Sequence, residues 1–132
     1  MTATPSAEQV LSASPEGLVL MLFEGAVRFG REAREALARG DRAEGERLTG
    51  RLRAVVEELD RGLNPAAGTI SRHLGAIYEY VLRRLDAETV DAETLAEVIA
   101  DLGVLCDAWT VLVAERSAEQ HVRSEARAPA LA

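Results

Sequence analysis

Two histidines and one cysteine are the side chains of this sequence whose types are best suited to bind a metal, transfer a proton or act as a nucleophile near neutral pH. They are His73, Cys106 and His121, and they are well separated along the chain. A metal site needs His, Cys, Asp or Glu at ligand spacing, and a nucleophilic site needs a base beside its Ser or Cys. The sequence shows neither pattern. Because Cys106 is the only cysteine and lies in an apolar helical run, we expect a buried structural thiol and no internal disulfide.

The other candidates for chemistry are carboxylate pairs and neighbouring tyrosines. They are Glu57 with Glu58, Glu93 with Glu97, and Tyr78 with Tyr80. The carboxylate pairs fit solvated helix faces, and the tyrosines fit packing positions with a polar edge. No glycine-rich phosphate loop follows a strand-like segment. We therefore predict a protein that is not an enzyme and that uses no cofactor and no metal.

His73 supports one alternative function. A histidine phosphotransfer bundle presents one exposed histidine on a helix, usually followed by a lysine and a glycine. The sequence here reads His73-Leu74-Gly75 and has no lysine at that point. Phosphotransfer through a surface His73 therefore remains a hypothesis, which labelling by a kinase would test.

The length and composition of the chain narrow the class of protein to which it can belong. The chain has 132 residues, a net charge of −7 and only 4% aromatic residues. Its length fits one domain with a real core, and its net charge argues against nucleic acid as the main partner. No apolar run is long enough to span a membrane, and no signal-peptide pattern opens the chain. We expect a cytoplasmic protein with no membrane insertion.

Hydrophobic periodicity predicts an all-α domain of four helices between two tails. Residues 1–13 read as a mobile arm, residues 14–116 as the helical domain, and residues 117–132 as a disordered or frayed tail. Start and stop signals place the helices at about Pro15–Arg39, Asp41–Gly62, Thr69–Asp86 and Asp91–Glu115. Three short connections between long helices imply antiparallel neighbours, so we predict an up-down four-helix bundle.

The first and last helices carry more apolar surface than such a bundle needs. On the first helix, one stripe contains Leu18, Met21, Leu22, Gly25 and Phe29, and a second contains Leu20, Phe23, Val27 and Gly30. The last helix has a core stripe through Leu95, Val98, Leu102 and Trp109, and a second stripe formed by Ala100, Val104, Ala108 and Val111. Two interpretations remain open: helices buried on most sides, or grooves that receive a partner helix.

Three segments of this sequence resemble one known family, the FliS flagellin export chaperones. SASPEGLVLMLFEGAVRF at Ser12–Phe29 is similar to the family's T-A-S-P and L-x-x-M-L-Y-D-G-A patterns. LGAIYEYVLRRL at Leu74–Leu85 is similar to L-x-x-L-Y-D-Y-M-x-R-R-L, and the end of the last helix, Asp107-Ala108-Trp109, is also similar. The resemblance covers about Val10 to Ala114. Phe23-Glu24 stands where the family usually has Tyr-Asp.

The resemblance implies a partner and a binding surface. Such chaperones bind the disordered C-terminal segment of flagellin in apolar grooves, prevent its premature polymerisation and deliver it to a component of the type III export gate. The groove residues expected from the resemblance and the apolar stripes are Leu20, Phe23, Val27, Tyr78, Ala100, Val104, Ala108 and Val111. In the family, the N-terminal arm covers this surface when flagellin is absent, and Val10 and Leu11 would do so here. We expect a monomer or a weak homodimer. A helical adaptor for another client remains the second alternative.

Overall fold

The computed structural model describes residues 14–86 and 89–127, and this part of the chain forms four α-helices and no strand. Helix α1 is Pro15–Ala38, α2 is Arg42–Arg61, α3 is Thr69–Leu85 and α4 is Ala92–Arg127, with a single 3-10 turn at Pro65–Ala67. The predicted all-α architecture is confirmed. Along each pair of neighbouring helices, the start of one helix contacts the end of the other. In α1 and α4, for example, Glu16 contacts Trp109, and Gly30, later in α1, packs against Ile99, earlier in α4. The helices are therefore antiparallel.

The predicted start signals of the first two helices make their expected hydrogen bonds. Ser14 Oγ accepts from the Gly17 N–H at 3.1 Å, and Pro15 follows at the first helical position. Gly40 then adopts a φ of +79°, which a side chain would disfavour. Directly after it, Asp41 Oδ1 accepts from the Glu44 N–H at 3.2 Å. This pairing of a left-handed glycine and an aspartate cap turns the chain back within three residues.

The other two connections also use short polar caps. Asn64 Oδ1 accepts from the Ala66 N–H at 3.1 Å and opens the 3-10 turn before Gly68, whose φ is +126°. At the start of α4, Asp91 Oδ1 accepts from the Thr94 N–H at 2.7 Å. This backbone hydrogen bond stabilises the charged carboxylate and lowers the pKa of Asp91. The segmentation predicted from the sequence is thus reproduced to within one or two residues up to this point.

Helix α1 is the central element of the bundle. It packs extensively against both α2 and α4, whereas α3 packs mainly against α2 and only slightly against α4. Its buried residues cover a wide arc and include both large and very small side chains: Phe23, Gly25, Ala26, Val27, Gly30, Ala33 and Ala36. The broad apolar surface of this helix is therefore mostly core, as the first of the two interpretations predicted.

Helix α4 is longer than predicted. It continues past the expected end near Glu115 to Arg127, so the part of residues 117–132 that the structure describes is helical. The prediction of a disordered or frayed tail is wrong for this part. The side chains of residues 114–123 are exposed, including Val122 at 62%. The N-terminal arm, residues 1–13, and residues 128–132 lie outside the described part.

Candidate partner-binding surface

The second stripe of α4 is exposed along its whole length. We call its four residues the outer α4 stripe: Ala100, Val104, Ala108 and Val111. Val104 is 68% exposed and Val111 is 56% exposed. The opposite side of the same helix enters the core, where Leu95 and Leu102 are fully buried. Because both stripes follow helical spacing, one helix presents one apolar face to the core and another to solvent.

A groove lies between α3 and α4, next to Val104. It has a volume of about 390 Å³, and its lining is mostly apolar: Ala76, Ile77 and Tyr80 from α3, and Asp101 and Val104 from α4. We call it the α3–α4 groove. It exists because α3 packs mainly against α2 and makes little contact with α4. Tyr80 is 43% exposed, so aromatic surface as well as aliphatic surface is accessible there.

One ion pair bridges the two helices near this groove. Arg84 of α3 pairs with Glu97 of α4, and its guanidinium carbon lies 6.0 Å from the centre of the Tyr80 ring. Asp101 lies one helical turn beyond Glu97. Within the described residues, the Asp101 carboxylate makes no ion pair and no side-chain hydrogen bond. The groove therefore combines apolar walls with one carboxylate that is available for a partner.

Three of the predicted groove residues lie in the core. Phe23 is fully buried, Tyr78 is 2% exposed and Val27 is 6% exposed. The Phe23 ring packs against Tyr78 and Trp109, with ring centres 6.3 Å and 5.7 Å away. These residues hold three helices together, so the prediction that they line an open groove is wrong. The helical period finds an apolar face but does not say what covers it.

The other predicted site residues have different surroundings. Leu20 is half-buried and lies outside the core cluster. On α3, Ile70 is 75% exposed, whereas Tyr78 points into the core. Val10 and Leu11 lie outside the described residues. The predicted site is thus reduced to the outer α4 stripe, with the half-exposed Leu20 as the α1 contribution.

Trp109 was predicted as a core residue, but its hydrogen bond was not foreseen. Its indole Nε1 donates to the Glu16 carbonyl oxygen at 2.9 Å, which fastens α4 to the first turn of α1. Together with Tyr78, Val19, Leu22 and Leu74 it lines a second, more enclosed cavity of about 320 Å³ at this end of the bundle. Burial, and to a smaller degree Asp60, raises the pKa of Tyr78 to about 12, so its hydroxyl stays neutral.

The candidates for chemistry are not clustered among the described residues. In residues 14–86 and 89–127, His, Cys, Asp and Glu side chains form no group that could hold a metal ion. His73 is exposed on α3. No described helix has the length and apolarity that crossing a membrane requires. The feature that stands out is an exposed apolar surface beside a groove, which is typical of a protein that binds another protein.

Comparisons with known proteins identify the family. The family profile of the flagellar protein FliS matches residues 2–116. The flagellar secretion chaperone FliS of Salmonella typhimurium is 36% identical over 104 residues, which cover 76% of this chain and 77% of that protein. The flagellar secretion chaperone FliS of Bacillus subtilis is 30% identical over 114 residues, which cover 85% of each chain. The chain belongs to the FliS family of flagellar secretion chaperones, as its motifs predicted.

Proposed function

We propose that this protein is a cytoplasmic chaperone that binds the disordered C-terminal segment of flagellin, prevents its premature polymerisation and delivers it to the flagellar type III export apparatus. The observation that carries the proposal is the exposed apolar surface made by the outer α4 stripe and the α3–α4 groove. Family membership supplies the flagellar context. The surface supplies a place for an apolar client segment.

The energetics of such a surface suit a disordered client. Each apolar side chain that the client buries contributes about 1.5–3 kcal/mol, and ordering the client's backbone costs about 1–2 kcal/mol per residue. The two terms nearly cancel, so affinity requires several anchors spread over a long contact. An open stripe and a shallow groove meet that need and still permit release at the export gate.

The same reasoning favours binding over catalysis. Chaperoning requires a surface that competes with flagellin's own assembly contacts, and it needs no bond to be made or broken. We infer that the protein is not an enzyme and that it acts without a cofactor. The state of association of the free protein, monomer or weak homodimer, stays a prediction.

A pair of charge substitutions on α4 tests the proposed surface. Val104→Glu places a carboxylate on the exposed stripe, where water solvates it, so stability should change by less than about 0.5 kcal/mol. Binding of a flagellin C-terminal peptide should weaken at least about tenfold, because the complex would bury that charge without a partner. Leu102→Glu should destabilise the bundle by more than about 3 kcal/mol, because the native core would bury the charge.

Val122 provides a matched control on the same helix. It is 62% exposed, close to the 68% of Val104, but lies about 27 Å further along α4. Val122→Glu should keep both stability and peptide binding. Thermal melting and calorimetry on the three variants decide the matter. Normal peptide binding by Val104→Glu would remove the outer stripe from the binding surface.

The two alternatives are tested with the same protein. A helical adaptor for another client would keep the surface but fail to bind the flagellin peptide at any accessible concentration. A phosphotransfer protein would become labelled at the exposed His73 by a kinase, and His73→Gln would abolish that labelling while peptide binding remained absent. Tight peptide binding without phosphorylation supports the chaperone.

A further inference from the structure

The carboxylate of Asp101 is the charged group among the residues that line the α3–α4 groove. The other lining residues are Ala76, Ile77, Tyr80 and Val104, whose groove-facing surface is mostly apolar. Asp101 is exposed in the free protein, so water solvates it there. A client that covers the apolar walls must also cover this charge.

Arg84, the basic residue of the ion pair between α3 and α4, does not neutralise Asp101. Arg84 is already paired with Glu97 and lies over the Tyr80 ring. Asp101 itself has no ion pair among the described residues. The protein also has a net charge of −7, so a basic client is attracted and an acidic client is repelled before contact.

We propose that the α3–α4 groove selects a client segment that carries a lysine or arginine next to its apolar anchors, and that Asp101 is the residue that selects it. This proposal rests on the proposed function, and it names the client chemistry that the groove accepts. Lysine and arginine suit the site because their long aliphatic stems pack on apolar walls while the charged end reaches a carboxylate. Val104 and Ile77 supply those walls.

The selection works mainly by penalising the wrong client. When an apolar segment without a basic residue covers the groove, Asp101 loses water and gains no partner, which weakens the complex. A segment with a correctly placed basic residue restores the lost interactions with a charge-assisted hydrogen bond. Specificity of this kind arises from the unpaired charge as much as from the new contact.

A double-mutant cycle between protein and peptide tests the proposal. The probes are a flagellin C-terminal peptide and versions of it in which each lysine or arginine is replaced singly by glutamine. Asp101→Asn should weaken binding of the unmodified peptide about three- to tenfold. With one of the glutamine peptides, the same substitution should have no effect or should strengthen binding, because that peptide lacks the partner of Asp101.

Salt dependence and a matched control complete the test. Raising the salt from about 0.1 M to about 1 M should weaken binding to the wild type more than binding to Asp101→Asn, since salt screens the attraction between Asp101 and the client's basic residue as they approach. Glu119→Gln removes the same charge from the same helix, but the exposed Glu119 lies about 27 Å further along α4 than Asp101. It should leave the affinity and the salt dependence for the peptide unchanged.

The outcomes separate this inference from the proposed function. If Val104→Glu loses the peptide while Asp101→Asn binds every peptide like the wild type, with the same salt dependence, the role of Asp101 is overturned and the chaperone function stands. If the unmodified peptide does not bind the wild type, the proposed function itself fails. Non-additive effects of Asp101→Asn and one peptide substitution support the selection.

Discussion

Cys106 shows how the bundle moderates the chemistry of a single residue. It is half-buried on α4 and faces the depression lined by Glu24 and Asp107. Burial, followed by the charges of Glu24 and Asp107, raises the pKa of the thiol. Since the thiolate is the reactive form, the structure makes Cys106 a poor nucleophile at neutral pH.

The reactivity of this thiol is therefore predictable. Alkylation of Cys106 by iodoacetamide at pH 7 should be at least several-fold slower in the native protein than in the protein unfolded in denaturant, because both access and thiolate fraction are reduced. Following the reaction by mass spectrometry checks this. Equal rates in the two states would contradict the assigned environment of Cys106.

At the scale of single residues, the sequence separates exposed from buried positions well on α4 and poorly on α1. Leu102 and Val104 were assigned to opposite faces, and the structure places them at 0% and 68% exposure. On α1, Phe23 and Val27 belong to a stripe as apolar as its neighbour, but they are buried whereas Leu18 of the neighbouring stripe is 38% exposed. Periodicity locates such faces, but only the positions of α2 and α4 determine which are free.

At the scale of helices, glycines control how closely α1 approaches its neighbours. A Cβ at Gly30 would lie 2.8 Å from Ile99 Cγ1 of α4. A Cβ at Gly25, on the same helix, would have no heavy atom within 4 Å apart from its chain neighbours and the backbone of its own helix. Both glycines are buried, but only Gly30 needs to lack a side chain for α4 to pack this closely.

These glycines give a matched pair of substitutions. Gly30→Ala should destabilise the protein by about 1–2 kcal/mol, because moving Ile99 away costs more than the helix propensity gained. Gly25→Ala should be neutral or stabilising by up to about 1 kcal/mol. Chemical denaturation of both variants measures the difference. Equal effects would show that α1 and α4 can separate without cost at Gly30.

The ends of the helices were predictable wherever a cap is encoded. Ser14, Asp41 and Asp91 all cap as expected, and each signal is a local hydrogen bond. The end of α4 was missed because the apolar stripe fades after Val113, although the helix continues to Arg127. Pro129 follows two positions later in the sequence and was the available stop signal. Loss of amphipathicity was mistaken for loss of helix.

At the scale of the whole molecule, the bundle separates stability from binding. Its core is built around α1, which contacts α2 and α4, while α3 remains loosely joined to α4. The surface proposed for the client lies at that loose seam and on the outer side of α4. A client can therefore bury apolar surface there without displacing the residues that keep the domain folded.

This separation predicts the thermodynamics of client binding. A flagellin C-terminal peptide should bind one to one with a negative heat-capacity change on the order of −0.3 kcal/mol/K, because apolar surface leaves water. The helix content of the complex should exceed the sum of the helix contents of the free protein and the free peptide, since the disordered segment orders on the bundle. Calorimetry at several temperatures and far-UV circular dichroism measure the two effects.

Binding with no gain of helix would mean that the client stays extended on α4. A heat-capacity change near zero would mean that the outer α4 stripe and the α3–α4 groove stay in contact with water, and then the exposed valines would need another explanation.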